Sequence, residues 1–273
     1  MIPVTIPAWY YQQFDADYSL EIPEEGFGGW KKETLELDCE KTAVVVMHAW
    51  DCGTFEQYPG WHRCVPYIPR AKQIAREVFP TLLETVRKSP IKLFHVVGGG
   101  DYYKRLPGYA RAVALAGPEL ILNAKVDPDP YYEKLLAFRR DNVHPGARNL
   151  ADVQRGFEHV DFAPEARPLD HEGIAENGRQ LYALCAETGI NHLIYCGFAI
   201  DWCLLLSPGG MADMRKRGFL CSALRQATTA VENKETARSQ LCKEVGLWRV
   251  ALLYGFVFDV PEFVAAVNNI GKT

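Results

Sequence analysis

The sequence predicts a doubly wound α/β fold, a six-stranded, mainly parallel sheet with helices on both faces, and three observations carry that prediction. Five apolar runs have strand length: TAVVVM (42–47), IKLFHVV (91–97), HLIYCGF (192–198), FLCSAL (219–224) and WRVALLYGFVF (248–258). Most are continuous rather than alternating, as strands covered on both faces require. Stretches of helical spacing lie between them, and that alternation implies right-handed crossovers between parallel strands, a Rossmann-like layering.

Taken in order, residues 1–37 are rich in Tyr, Trp and Pro and read as an extended arm or hairpin packed on the domain or on a neighbouring subunit. The main domain spans 38–273. Ile74, Val78, Leu82 and Val86 fall four apart, with Pro80 marking a kink or restart. Residues 98–156 carry GGGDYYKRLPGYA, DPDPYY and HPGARN and read as a loop-rich insertion. The triple glycine at its start lacks the continuation of a phosphate-binding loop and reads as a flexible turn. FEHVDF (157–162) is the candidate sixth strand. Leu181, Leu184 and Cys185 share a helical face that Gly189 ends, and MRKRG (214–218) reads as the solvated end of a helix. NKETARSQLCKEVG and VPEFVAAVNNIG are also helical, the latter with Pro261 in its first turn and Gly271 beyond its end.

Bulk properties exclude several functions. The 273 residues are 48% hydrophobic and 23% charged, enough to bury a full core. A net charge of -4 argues against a nucleic-acid surface, which needs clustered Lys and Arg to displace counterions from phosphates. No apolar run approaches the ~18 residues of a membrane span, and MIPVTIPAWYY lacks the features of a signal peptide, so a cytoplasmic location is expected. Cys39, Cys52, Cys64, Cys185, Cys196, Cys203, Cys221 and Cys242 show no CxxC spacing and are expected to be reduced, most of them buried. No zinc-like pattern joins them to the histidines.

In an open parallel sheet, ligands sit beyond the carboxyl ends of the strands where strand order reverses. The first strand ends in MHAWDCG, placing His48, Trp50 and Asp51 there, and the fourth ends in GFAIDWC, placing Asp201 and Cys203. A thiol at the start of a helix would feel free amides and the helix dipole, which favour the thiolate.

These segments resemble the isochorismatase-like cysteine hydrolases. TAVVVMHAWDCG (42–53) resembles that family's opening strand, and LIYCGFAIDWC (193–203) its cysteine segment. RAKQIAREVFPTLLETVRKSPIKLFHV and MADMRKRGFLCSALRQATTAVENKETA extend the likeness on both sides, so that it spans roughly 38–265 apart from much of 98–160. The resemblance implies a six-stranded parallel sheet and amide or imide hydrolysis by a Cys, Asp and Lys triad. Cys203 then matches the nucleophile, the backbone amides of Ala199 and Cys203 match the oxyanion hole, and the family's cis peptide falls at Phe198–Ala199. Two departures stand out. His48 falls where the family has its aspartate, and a histidine can serve a thiol as base. The lysine has no counterpart in FAPEARPLDHEG (162–173), where only Arg167 or His171 supplies positive charge.

Beside these readings stand plainer ones. Cys203 would be a small buried hydrophobe, His48 a hydrogen-bonded core histidine, Trp50 a packing residue, and Asp51 and Asp201 caps or turn residues. The expected function is hydrolysis of an amide or related C–N bond of a small molecule through Cys203 and His48, with Trp50, Asp51, Arg167 and His171 as possible substrate contacts. The alternative is a non-catalytic member that binds a small ligand or serves in assembly. A third possibility, vinyl-ether hydrolysis without a thiol, needs the acid that His48 replaces. No cofactor, metal, nucleic acid or membrane is expected as a partner, and self-association into a homo-oligomer is.

Overall fold

The computed structural model describes residues 1–118 and 128–271. The chain opens with β1 (Pro3–Gln12) and β2 (Gly29–Asp38), then β3 (Thr42–Met47) and a short β4 (Trp50–Asp51). Helices α1 (Pro59–Cys64), α2 (Ile68–Glu77) and α3 (Phe79–Arg87) lead to β5 (Lys92–Val96). Next come α4 (Pro107–Ala116), α5 (Pro130–Asn142), α6 (Leu150–Glu158), β6 (Asp161–Phe162) and β7 (Gly173–Ala175). The remainder is α7 (Gly178–Thr188), β8 (His192–Gly197), α8 (Met211–Lys216), β9 (Leu220–Thr228), α9 (Leu241–Leu253), β10 (Val257–Phe258) and α10 (Val260–Asn268).

The main sheet has eight strands in the order β2-β1-β10-β9-β8-β3-β5-β7. The six from β10 to β7 are parallel, and β1 runs antiparallel to both β10 and β2. The expected six-stranded sheet is therefore corrected to an eight-stranded mixed one. The extra pair comes from the N-terminal segment, a hairpin whose Trp9 pairs with Val257 and covers the edge that the two-residue β10 would leave open. Val4, Ile6 and Ala8 alternate inward along β1, which gives that strand a buried face.

Three further expectations are corrected. FEHVDF is not a strand of the main sheet: Phe157 and Glu158 close α6, and Asp161–Phe162 pairs with β4 in a separate two-stranded sheet. The sixth parallel strand is Gly173–Ala175, too short to show as an apolar run. The 98–156 stretch holds three helices among its described residues; Asp129 starts α5 by accepting the Tyr131 and Tyr132 amides. WRVALLYGFVF is helix through Leu253 and strand only at Val257–Phe258, while α9 begins at Leu241, where the Glu232 carboxylate accepts the Cys242 and Lys243 amides.

Both faces of the sheet are covered. Val44 and Val46 of β3, with Ile194 and Cys196 of β8, face a core closed by α3 and α10. Ala43, Val45 and Met47, with Leu193 and Tyr195, face the opposite core under α7, α8 and α9. This two-sided burial is why the strands read as unbroken apolar runs. Numbered by chain order, the parallel strands run β7-β5-β3-β8-β9-β10, third-second-first-fourth-fifth-sixth, so the order reverses between β3 and β8. Gly197 allows that junction: at φ +116 it lies so close to β3 that a Cβ would fall 1.9 Å from the Met47 carbonyl oxygen.

Candidate functional site

The last register pair of β3 and β8 is Met47 with Gly197, so His48 and Phe198 leave the sheet side by side. His48 donates its amide to Val96 at 3.0 Å and takes φ 50, the left-handed region that costs a β-carbon-bearing residue about 1 kcal/mol. Its ring stacks on Trp50, with centroids 4.6 Å apart and planes 14° off parallel. Across the junction the Phe198–Ala199 peptide is cis. Ile200 donates to Thr229 at 2.8 Å, and Ile200–Leu204 forms a π-helical turn in which the Leu204 amide reaches Ala199 at 3.0 Å. Cys203 sits within that turn. Such turns recur at functional positions because they re-aim side chains that an α-helix would direct elsewhere. The helix that starts at the cysteine is cut short by SPGG (207–210), and α8 begins at Met211.

Cys203 and His48 line one cavity of about 200 Å³. Trp50, Trp61, Phe157 and Trp202 supply its aromatic walls, and none of the described residues lining it is Asp or Glu. Trp61 reaches the cavity because Gly156 of α6 carries no side chain; a Cβ there would fall 2.0 Å from the indole. Burial lowers the His48 imidazole to about 4, against a smaller opposing effect of the Val97 backbone, so the ring is neutral near neutral pH. Its Nδ1 is buried with no hydrogen-bond partner among the described residues, while Nε2 lies on the Gly98 side. Burial raises the Cys203 thiol, partly offset by hydrogen bonds from the Ser207 hydroxyl and the Ala199 amide. The resting pair is therefore thiol and imidazole rather than thiolate and imidazolium.

Other candidates fall elsewhere. Trp50 is a wall of the cavity and donates from Nε1 to the Tyr102 hydroxyl at 2.9 Å. Asp51 accepts the Gly53 amide at 3.0 Å as a turn residue and lines a second cavity of about 150 Å³ that shares Trp50 and Lys72 with the first. Asp201 accepts the Val231 amide at 2.9 Å and holds the loop after β9. Arg167 and His171, the expected sources of positive charge, are not brought to the thiol. Arg167 pairs with Asp161 at 2.5 Å, and His171 lines a third cavity beside Arg87 and Arg111. The reason is the neighbouring Glu172, whose buried carboxylate ties this segment to Arg87 and His95.

The cation at the cavity is Lys72 of α2, which sequence reasoning missed. A signal existed. Ile68, Lys72 and Ala75 share one face of α2, and a charged residue among buried ones on a single helical stripe requires an explanation. Cys52 and Cys64 also line the cavity, with burial pushing the Cys52 thiol to about 12 and raising that of Cys64. All eight cysteines are free. Among the described residues no group of three or more His, Cys, Asp or Glu could hold a metal ion, and no described helix is long and apolar enough to cross a membrane.

No family model and no curated protein matches the chain. Solved structures to which it is similar include a cysteine hydrolase from Pseudomonas syringae pv. phaseolicola, at 12% identity over 86% of this chain and 95% of that one, with a TM-score of 0.48. An isochorismatase-like hydrolase from Alkaliphilus metalliredigens is similar at 18% identity over 83% and 97%, with a TM-score of 0.47. N-carbamoylsarcosine amidase from Thermoplasma acidophilum follows at 15% identity over 81% and 98%, with a TM-score of 0.43.

Proposed function

We propose that the chain is a small-molecule hydrolase of the isochorismatase-like type that cleaves an amide or related C–N bond through Cys203, with His48 in place of the usual aspartate. The observation that carries this reading is the placement of Cys203 and His48 at adjacent parallel strand ends, at the reversal of strand order, on one cavity. Nδ1, which has no hydrogen-bond partner among the described residues, is the nitrogen assigned to take the thiol proton as sulfur attacks the carbonyl carbon. The amides of Ala199 and Cys203 then receive the oxyanion. His48 passes its proton to the leaving nitrogen as the C–N bond breaks, and water hydrolyses the thioester, releasing the acid and restoring the thiol. With its pKa at about 4, His48 is a weak proton acceptor as imidazole but a strong donor as imidazolium. His48 therefore assists expulsion of the amine more than activation of the sulfur.

A non-catalytic, ligand-binding reading is favoured by one observation, the uncharged state of both groups at rest. Alkylation separates the two. Iodoacetamide at neutral pH is expected to modify Cys203 ahead of the other cysteines, and His48→Gln is expected to slow that reaction by about ten-fold. Equal sluggishness of all eight thiols, read by peptide mass spectrometry, would favour the binding reading.

We also propose that the protein works as a homo-oligomer. No residue of α5 is buried, and Tyr131, Leu135 and Phe138 lie on one face at 78%, 65% and 64% exposure. A second copy laid on this face would cover them beside His144, which lines the cavity. Sedimentation should show a dimer or larger species that Leu135→Glu with Phe138→Glu converts to monomer; a wild-type monomer would refute the assignment.

A further inference from the structure

We propose that Lys72 recognises a carboxylate on the ligand of this cavity, so that the preferred substrates are small amides that join an aromatic or apolar body to a carboxylate group. The inference rests on the hydrolase reading for the word substrate, but the recognition itself does not require catalysis.

Lys72 is the single Lys, Arg, Asp or Glu among the described residues that line the thiol cavity. An ammonium has three N–H donors, and among the described residues this one has one acceptor, the Gly53 carbonyl. It stands at the wall shared with the second cavity, where α2 carries it between the buried Ile68 and Ala75. The surroundings are indole and phenyl faces, with an imidazole that is neutral near neutral pH. A cation held in such a setting keeps more of its Coulomb attraction than one on the surface, and a carboxylate is the group that completes its hydrogen bonds. A ligand ammonium would be repelled by Lys72 and would meet no acidic partner in the described walls.

Lys72 and Cys203 both line this cavity, and the Lys72 charge is not among those acting on the Cys203 thiol. That charge acts on the Cys52 thiol, whereas the charge acting on Cys203 is that of Asp201. A ligand body can therefore lie between the two, with its carbonyl at Cys203 and its carboxylate at Lys72. The role is recognition rather than chemistry, so it should be expressed in binding and in KM, with kcat little changed.

The test is calorimetric titration of the full chain with benzoate, phenylacetate and cinnamate, each beside the corresponding alcohol, which has the same body and no charge. At least one acid is expected to bind about ten-fold tighter than its alcohol. Lys72→Met should abolish that preference and leave alcohol binding unchanged, while Lys72→Arg should retain part of it. Lys72→Gln keeps a donor for the Gly53 carbonyl and removes the charge, so it gives the same answer should the methionine variant be unstable. Equal binding of acids and alcohols by the wild type, absence of binding by either, or parallel weakening of both in Lys72→Gln would overturn the assignment. Acid preference with no turnover of any amide would leave the assignment standing and sink the hydrolase reading. Turnover of amides with no acid preference would do the reverse.

Discussion

Cys203→Ala is expected to lower kcat/KM by at least about a thousand-fold on any amide the wild type turns over, while leaving stability within about 1 kcal/mol. The rate prediction follows from the role assigned to the sulfur, the cavity thiol that the Ala199 amide hydrogen-bonds. The stability prediction follows from the backbone. The π-helical turn is held by main-chain bonds, Leu204 to Ala199 and Ser207 to Cys203, and alanine removes neither. The informative control is Cys64→Ala, which deletes another thiol of the same cavity and should keep activity. His48→Gln should fall between, at about a hundred-fold loss, because removing a proton shuttle leaves the nucleophile and the oxyanion site in place. The pH dependence has a definite sign. Because burial lowers His48 to about 4, kcat/KM should rise with pH through that value as the ring loses its proton, rather than through the ordinary histidine value of 6.5. A Cys203→Ala protein that still hydrolyses the amide would remove the sulfur from the mechanism.

The parts of this molecule that could be read from the sequence are those where burial leaves a periodic trace. β3 and β8 are buried at every residue and read as unbroken apolar runs, and because function concentrates at their ends, His48 and Cys203 could be found without coordinates. β7 and β10, at three and two residues, are too short to carry a pattern, so one was missed and the other was merged with the helix before it. α5 left no trace for the opposite reason: with no residue buried, it has no apolar stripe toward the core, and its sequence reads as loop. The cavity walls were harder still. Trp61, Phe157 and Lys72 converge from α1, α6 and α2, and their meeting is set by how those helices pack rather than by spacing along the chain. The stretch 162–173, which holds no lysine, is anchored by Glu172, an acid whose partners lie 77 and 85 residues away in sequence.

Glu172→Leu is accordingly expected to destabilise the fold by about 3–5 kcal/mol at neutral pH, as loss of one partner from a buried ion pair does. Glu172 is 3% exposed, and its carboxylate accepts Arg87 Nε at 2.7 Å, His95 Nε2 at 2.8 Å and the Leu169 amide at 3.0 Å. Removing it leaves the Arg87 charge and the fully buried His95 without their acceptor. Burial alone would raise the acid, but the bonds from His95 and Arg87 prevail and hold it at about 2. Burial also keeps His95 below its ordinary value, so it donates as a neutral ring and Arg87 supplies the balancing charge. The contribution of Glu172 is complete above its unfolded value of 4.5 and is lost as pH falls from there toward about 2. Urea denaturation of wild type and variant should thus show a full stability gap at neutral pH that narrows only below about pH 4.5. The lock joins α3, β5 and the segment leading to β7, away from the thiol cavity, so kcat/KM measured well below the unfolding temperature should be unchanged. A variant as stable as the wild type would show that Arg87 and His95 find other acceptors. Loss of activity without loss of stability would instead place this cluster in the chemistry, which the absence of Arg87, His95 and Glu172 from the described cavity walls argues against.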